Sequence, residues 1–176
     1  MYGMKKSYLY ILPLLLVLLI LALIWLFGRD GSDRFGKDHP VPSGLECSIP
    51  FAEDSPATVD SLDSNTWLAV WNGIQGGIYK YDFYYGALPA GEIFLRCYEV
   101  TGNIPLSTDR IEERSKVLTD STSAFSRLVN HQEFTIYEGD WDDYYAARIE
   151  VWFRDAATKQ ERKLMDKVYR VEGWMR

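Results

Sequence analysis

Hydrophobic and polar positions along this chain change rhythm twice. Residues 8–27, YLYILPLLLVLLILALIWLF, run for twenty positions without a charge. At about 1.5 Å of rise per residue, a helix of that length spans roughly 30 Å, the thickness of a bilayer's hydrocarbon core. The run has no polar face, and Tyr8, Tyr10 and Trp25 fall near its ends, where amphipathic rings favour the headgroup region. A cleaved signal peptide has a shorter apolar core and ends at a small-x-small site. This run ends in IWLFGRDG, so it reads as an uncleaved signal-anchor, with the lipid bilayer as its partner and residues 1–7 as a short tail. Lys5 and Lys6 on one side nearly balance Arg29, Arg34 and Lys37 on the other. The brief tail favours a cytoplasmic N-terminus and an extracytoplasmic C-terminal domain.

The rhythm then dissolves. Residues 28–44, GRDGSDRFGKDHPVPSG, are rich in Gly, Pro, Ser and charge, the composition of a flexible spacer. Residues 52–65 are similarly polar and read as loop.

From Thr66 onward, β-branched and aromatic residues recur with period two, the pattern of strands. The runs are TWLAVWNG, GIYKYDFYYG, EIFLRCYEV, EFTIYEG, YYAARIEVWFR and RKLMDKVYRVEGW. In the second, Tyr79, Tyr81, Phe83 and Tyr85 share one face. In the fifth, Tyr145, Ala147, Ile149, Val151 and Phe153 are the inward set, and DAATKQE closes a hairpin onto the last run. Six runs in so short a stretch predict an all-β fold, an antiparallel β-sandwich occupying residues 45–176. Between Asn103 and Gln132 the pattern predicts a short helix capped by Ser107 or Thr108. Ala124, Phe125, Leu128 and Val129 have helical spacing too.

Charge narrows the partners. The chain carries a net −6, but residues 1–37 hold five Lys/Arg against two Asp, and the remainder fourteen Lys/Arg against twenty-three Asp/Glu. A domain near −9 lacks the cationic surface that phosphate backbones need, which excludes nucleic acid. Nor does it settle unaided on an anionic leaflet. The two cysteines, Cys47 and Cys97, fit no metal-binding spacing. They either pair as a disulfide outside the cytoplasm, or Cys97 is a small buried apolar residue.

Candidate chemistry gathers in EGDWDDYYAARIEVWFR, residues 138–154. Asp140, Asp142 and Asp143 are the oxygen donors calcium prefers, but the calcium-loop motif is absent. Aspartates also enter turns because their side chains bond nearby backbone, and an acidic turn launching a strand is the preferred reading. DDYYAAR resembles the D-x-x-x-Y-x-C turn of immunoglobulin domains, whose corner tyrosine bonds back to the loop, with Ala146 in the cysteine position. The resemblance covers fewer than ten residues and implies a sandwich. Exposed aromatics mark interfaces, and Trp141, Tyr144 and Tyr84 are the binding candidates. His39 lies in the spacer and His131 alone on an expected loop, so no catalytic triad assembles. NGIQGG lacks the lysine and helix of a phosphate loop. The expectation is a non-catalytic, membrane-anchored domain that holds a protein partner in an envelope or secretion-type assembly. Alternatives are a carbohydrate- or calcium-dependent binding module and a small envelope hydrolase.

Overall fold

The computed structural model describes residues 13, 16–20, 34–50, 66–120 and 127–174. The chain divides into two units, Met1–Ser32 and Asp33–Arg176. In the first, Pro13 and residues 16–20 are helical. The rest of the expected span at residues 8–27 lies outside the described residues. Among the described residues no helix is long and apolar enough to cross a membrane.

The second unit is all-β with antiparallel pairing between its strands. Its elements are α1 (Phe35–Asp38), β1 (Thr66–Asn72), β2 (Ile78–Tyr85), β3 (Gly91–Glu99), β4 (Pro105–Leu106), α2 (Thr108–Arg114), β5 (Val117–Thr119), β6 (Arg127–Thr135), β7 (Tyr145–Asp155) and β8 (Glu161–Val171). The strands form a small sheet, β1–β2–β6, and a large one, β4–β3–β7–β8, with β5 also on β3. Both sheets feed one core. Tyr79, Tyr81, Phe83 and Tyr85 line it from β2, as the alternation predicts, and the full inward set of β7 belongs to it as well. Burying a side chain such as Ile149, Val151 or Phe153 contributes about 1.5–3 kcal/mol.

The core is rich in tyrosine, and each hydroxyl has to find a partner. Tyr81 donates to the Ser115 carbonyl at 2.7 Å, Tyr169 to that of Leu68 at 3.1 Å and Tyr145 to that of Glu138 at 2.7 Å. Tyr79 donates to the Glu172 carbonyl at 3.1 Å and accepts the Glu172 amide at 2.9 Å. Burial pushes Tyr79, Tyr81 and Tyr169 well above the usual phenol range. The rings thus fill the core while their hydroxyls tie loops and strands to it.

One edge of β3 is closed in three pieces. β4 pairs with Cys97 and Tyr98, and β5 with residues 91–93. Between them the Ser115 hydroxyl accepts the Leu95 amide at 2.8 Å and donates to the Ile111 carbonyl at 2.6 Å. The two short strands are too brief to show a period. The expected helix forms as α2, but Ser107 does not cap it with its side chain; at φ 40° its hydroxyl turns to Glu138 instead.

Three expectations are corrected. Leu128 and Val129 are not helical: they lie in β6, paired with Tyr84 and Phe83 of β2. His131 lies in that strand as well, not on a loop. Residues 34–44 are no free spacer, because Phe35 packs against the core and Pro40 bridges to Tyr145. Further on, Ser48 adds in parallel to β8 through the Val168 carbonyl and Arg170 amide, both at 2.9 Å. Cys47 and Cys97 are both free thiols; Cys97 is buried in the core and Cys47 is half-buried. Burial first, then the nearby Glu138 and Glu150, push the Cys97 thiol far up.

Candidate functional site

The acidic stretch after β6 is a turn held at both ends. The Ile136 amide donates to the Gly77 carbonyl and the Trp174 amide to the Ile136 carbonyl, each at 2.8 Å. Gly77 permits this crossing: its φ is +78°, and a side chain there would run into the backbone of Trp174. The Glu138 carboxylate accepts the Ser107 amide at 2.9 Å and its hydroxyl at 2.6 Å, while the Tyr137 amide donates to the same hydroxyl at 3.0 Å. Glu172 accepts the Asp142 amide at 2.8 Å. Asp142 sits at φ +61°, a left-handed conformation that Asp tolerates better than most residues.

On this frame stand the exposed rings. Trp141 lies against Gly76, where an added Cβ would come 2.7 Å from the indole Cδ1, and is 46% exposed. Ile74, on the same β1–β2 turn, is 88% exposed. Tyr144 is 38% exposed, with the Arg170 guanidinium 4.6 Å from its ring centre. Burial first, then the charges of Glu172 and Asp142, raise its phenol above the usual range. Tyr137 and Trp174 meet edge to face at 5.6 Å, Arg110 covers Tyr137 at 4.7 Å, and the Trp174 indole donates to Gln75 at 3.3 Å. The loop end therefore offers apolar rings beside carboxylate acceptors, a surface suited to recognition by stacking and hydrogen bonding.

Two of the three candidate metal ligands, Asp140 and Asp143, have local partners. Asp140 accepts the Trp141 amide at 2.9 Å, and Asp143 faces Lys37 at 3.3 Å. Among the described residues no group of three or more acidic, histidine or cysteine side chains is placed to hold a metal ion. Trp141 and Tyr144 share the loop end. Tyr84 does not join them: it lies on β2 opposite Trp67, six residues from Ile78 and roughly 20 Å along the strand. The tyrosine that bonds back to the loop is Tyr145, one position later than the immunoglobulin-like pattern places it; its neighbour Tyr144 faces water. Sequence reading missed Ile74, Arg170, Glu172 and Trp174, which come from other parts of the chain. A lone isoleucine within the turn NGIQGG is the one local signal among them.

A second aromatic and charged region covers the outer face of the large sheet. Phe94 is fully buried there, with the guanidiniums of Arg96 and Arg154 at 5.0 and 4.7 Å from its ring centre. Arg154 donates to Glu161 at 2.9 Å, Glu92 at 3.1 Å and Glu112 at 2.6 Å. Arg96 reaches Glu112 at 3.2 Å and Glu161 at 2.9 Å, and stacks on Trp152 at 4.8 Å. The Trp152 indole donates to Glu150 at 2.8 Å. Its charges are matched within the face.

Compared with protein-family models, with curated proteins and with solved structures, the chain matches none.

Proposed function

We propose that this chain is a membrane-tethered recognition protein. In this reading residues 8–27 are an uncleaved signal-anchor, and the two-sheet unit is a β-sandwich head displayed outside the cytoplasm. The head acts without catalysis: its loop end holds a protein partner within an envelope or secretion-type assembly. The observation that carries the reading is Trp141, a large ring left half in water on a turn whose backbone is fixed by neighbouring strands and by Glu172. Rigid, exposed tryptophan is a typical interface anchor. The exposed aliphatic side chain of Ile74, on the same turn as the Gly76 that Trp141 lies against, favours a protein surface over a sugar, whose recognition rests on rings and polar groups.

The test uses the full-length chain in its native membranes. A photo-crosslinking residue at position 74 is expected to give a discrete adduct that Trp141→Ala abolishes, from a chain that resists carbonate extraction. Adducts of equal yield from position 96, on the paired outer face, overturn the site. Release by carbonate overturns the anchor.

A further inference from the structure

Carboxylates outnumber cations in the folded unit, and Arg96, Arg148 and Arg154 are each held by at least one of them. Arg170 is not. Among the described residues no carboxylate lies within ion-pair distance of its guanidinium, which lies instead 4.6 Å from the centre of the Tyr144 ring. A ring attracts a guanidinium but offers no oxygen to its N–H fork. The backbone beneath is fixed on both edges. Arg170 stands opposite Ala146 of β7, and its amide donates to the Ser48 carbonyl at 2.9 Å.

Arg170 lines an open depression of about 500 Å³ on the flank of the loop end. Pro40 and Val41 give it apolar surface from one side, and Tyr144 faces them from the other. The segment that carries Pro40 and Val41 is anchored. A side chain at the buried Gly36 would run into the Asp143 carbonyl, and Lys37 pairs with the Asp143 carboxylate at 3.3 Å. That pair engages one of the two aspartates at the depression. The other, Asp142, has no cation within ion-pair distance among the described residues. Arg110 and Arg162 supply a comparison within the molecule. They too lie over rings, Tyr137 at 4.7 Å and Phe153 at 5.6 Å, but neither lines this depression.

We propose that this depression is a carboxylate-binding site, built for a single carboxylate on an apolar stem. A peptide's C-terminus and a free organic acid both supply that chemistry. The two oxygens match the Arg170 fork and form parallel charge-assisted hydrogen bonds. The stem lies between the Tyr144 ring and the Pro40–Val41 wall. A phosphate dianion gains the same fork but brings a second charge against Asp142. Trp141 takes no part, so the site stands or falls apart from the recognition reading.

Fluorine NMR of added probes tests the site on the full-length chain in lipid nanodiscs, with empty nanodiscs as the blank. N-acetyl-para-fluorophenylalanine is expected to bind about ten-fold more tightly than its carboxamide. Arg170→Gln is expected to erase that preference. Arg170→Lys, which keeps the charge without the fork, is expected to lose most of it, and Arg162→Gln to leave it intact. Para-fluorophenyl phosphate is expected to bind more weakly than the acid, and Asp142→Asn to narrow that gap. A short peptide ending in the same residue separates the two sources: tighter binding than the single residue assigns the site to a chain end, equal binding to a free acid. A carboxamide that binds as well as the acid, a preference kept by Arg170→Gln or lost equally in Arg162→Gln, or a phosphate that binds more tightly overturns the proposal.

Discussion

On the outer face of the large sheet, Phe94 lies beneath two guanidiniums, and each guanidinium is held by more than one carboxylate. At the loop end, Trp141 stands beside carboxylates too, but it lies on a glycine and nearly half of its surface meets water. The two regions draw on the same residue types. In the first, the ring and the charges complete one another. In the second, the hydrogen bonds fix the backbone and leave the ring outward. Residue types do not separate a structural network from a binding surface; what separates them is whether the polar groups are turned on one another or on the frame beneath.

Substitution at the two rings gives the largest contrast. Phe94→Ala opens a cavity under the guanidiniums and is expected to cost about 3–5 kcal/mol in chemical denaturation. Trp141→Ala is expected to stay within about 0.5 kcal/mol and to act on recognition. Similar losses from both would break the distinction. A smaller effect probes the frame: Tyr145→Phe removes the hydrogen bond to the Glu138 carbonyl and is expected to cost about 1 kcal/mol, with a weaker crosslink from position 74. Full stability with an unchanged crosslink would mean that the corner bond does not hold the loop.

Acid sharpens the comparison from the other side. Burial alone would raise Glu161, but hydrogen bonds from Arg154 and Arg96 and their charges outweigh it and hold its carboxyl below the usual range. A group lowered in the folded state stabilises above its unfolded value, about 4.3, and loses that contribution as pH falls through the folded one. Glu161→Gln is therefore expected to flatten the fall of the denaturation midpoint below about pH 4.3, without altering crosslinking at neutral pH. An unchanged slope would remove the outer-face network as a source of acid sensitivity. The smallest effect expected is none: millimolar calcium should leave the melting temperature where it is, since Asp140 and Asp143 already serve Trp141 and Lys37. A clear rise would restore a calcium site at the loop end.

Much of the strand content was legible. The inward sets of β2 and β7 followed from alternation because one face of each meets a core, and the polar DAATKQE closes the β7–β8 hairpin as its composition implies. β6 was read short, because its first half shows helical spacing and only pairing with β2 holds it extended. The segment around Phe35 was misread for a similar reason. Gly, Pro and charge dominate its composition, yet the Phe35 ring against Tyr145, the Pro40 bridge to Tyr145 and the Lys37–Asp143 ion pair tie it to the folded unit. At the site, the acidic turn was visible and its partners were not, since Ser107, Glu172 and Gly76 lie far from it along the chain.

The sequence by itself determined the period-two strands, the acidic balance of the folded unit and the uncharged run near its start, because each of these is a local pattern or a sum over residues. Tertiary structure alone decided that Trp152 joins a closed network while Trp141 stays open, that Tyr145 and not Tyr144 makes the corner bond, and that Arg170 meets the Tyr144 ring rather than a carboxylate. Each of those depends on which distant backbone lies beneath a side chain, and no spacing along the chain encodes that.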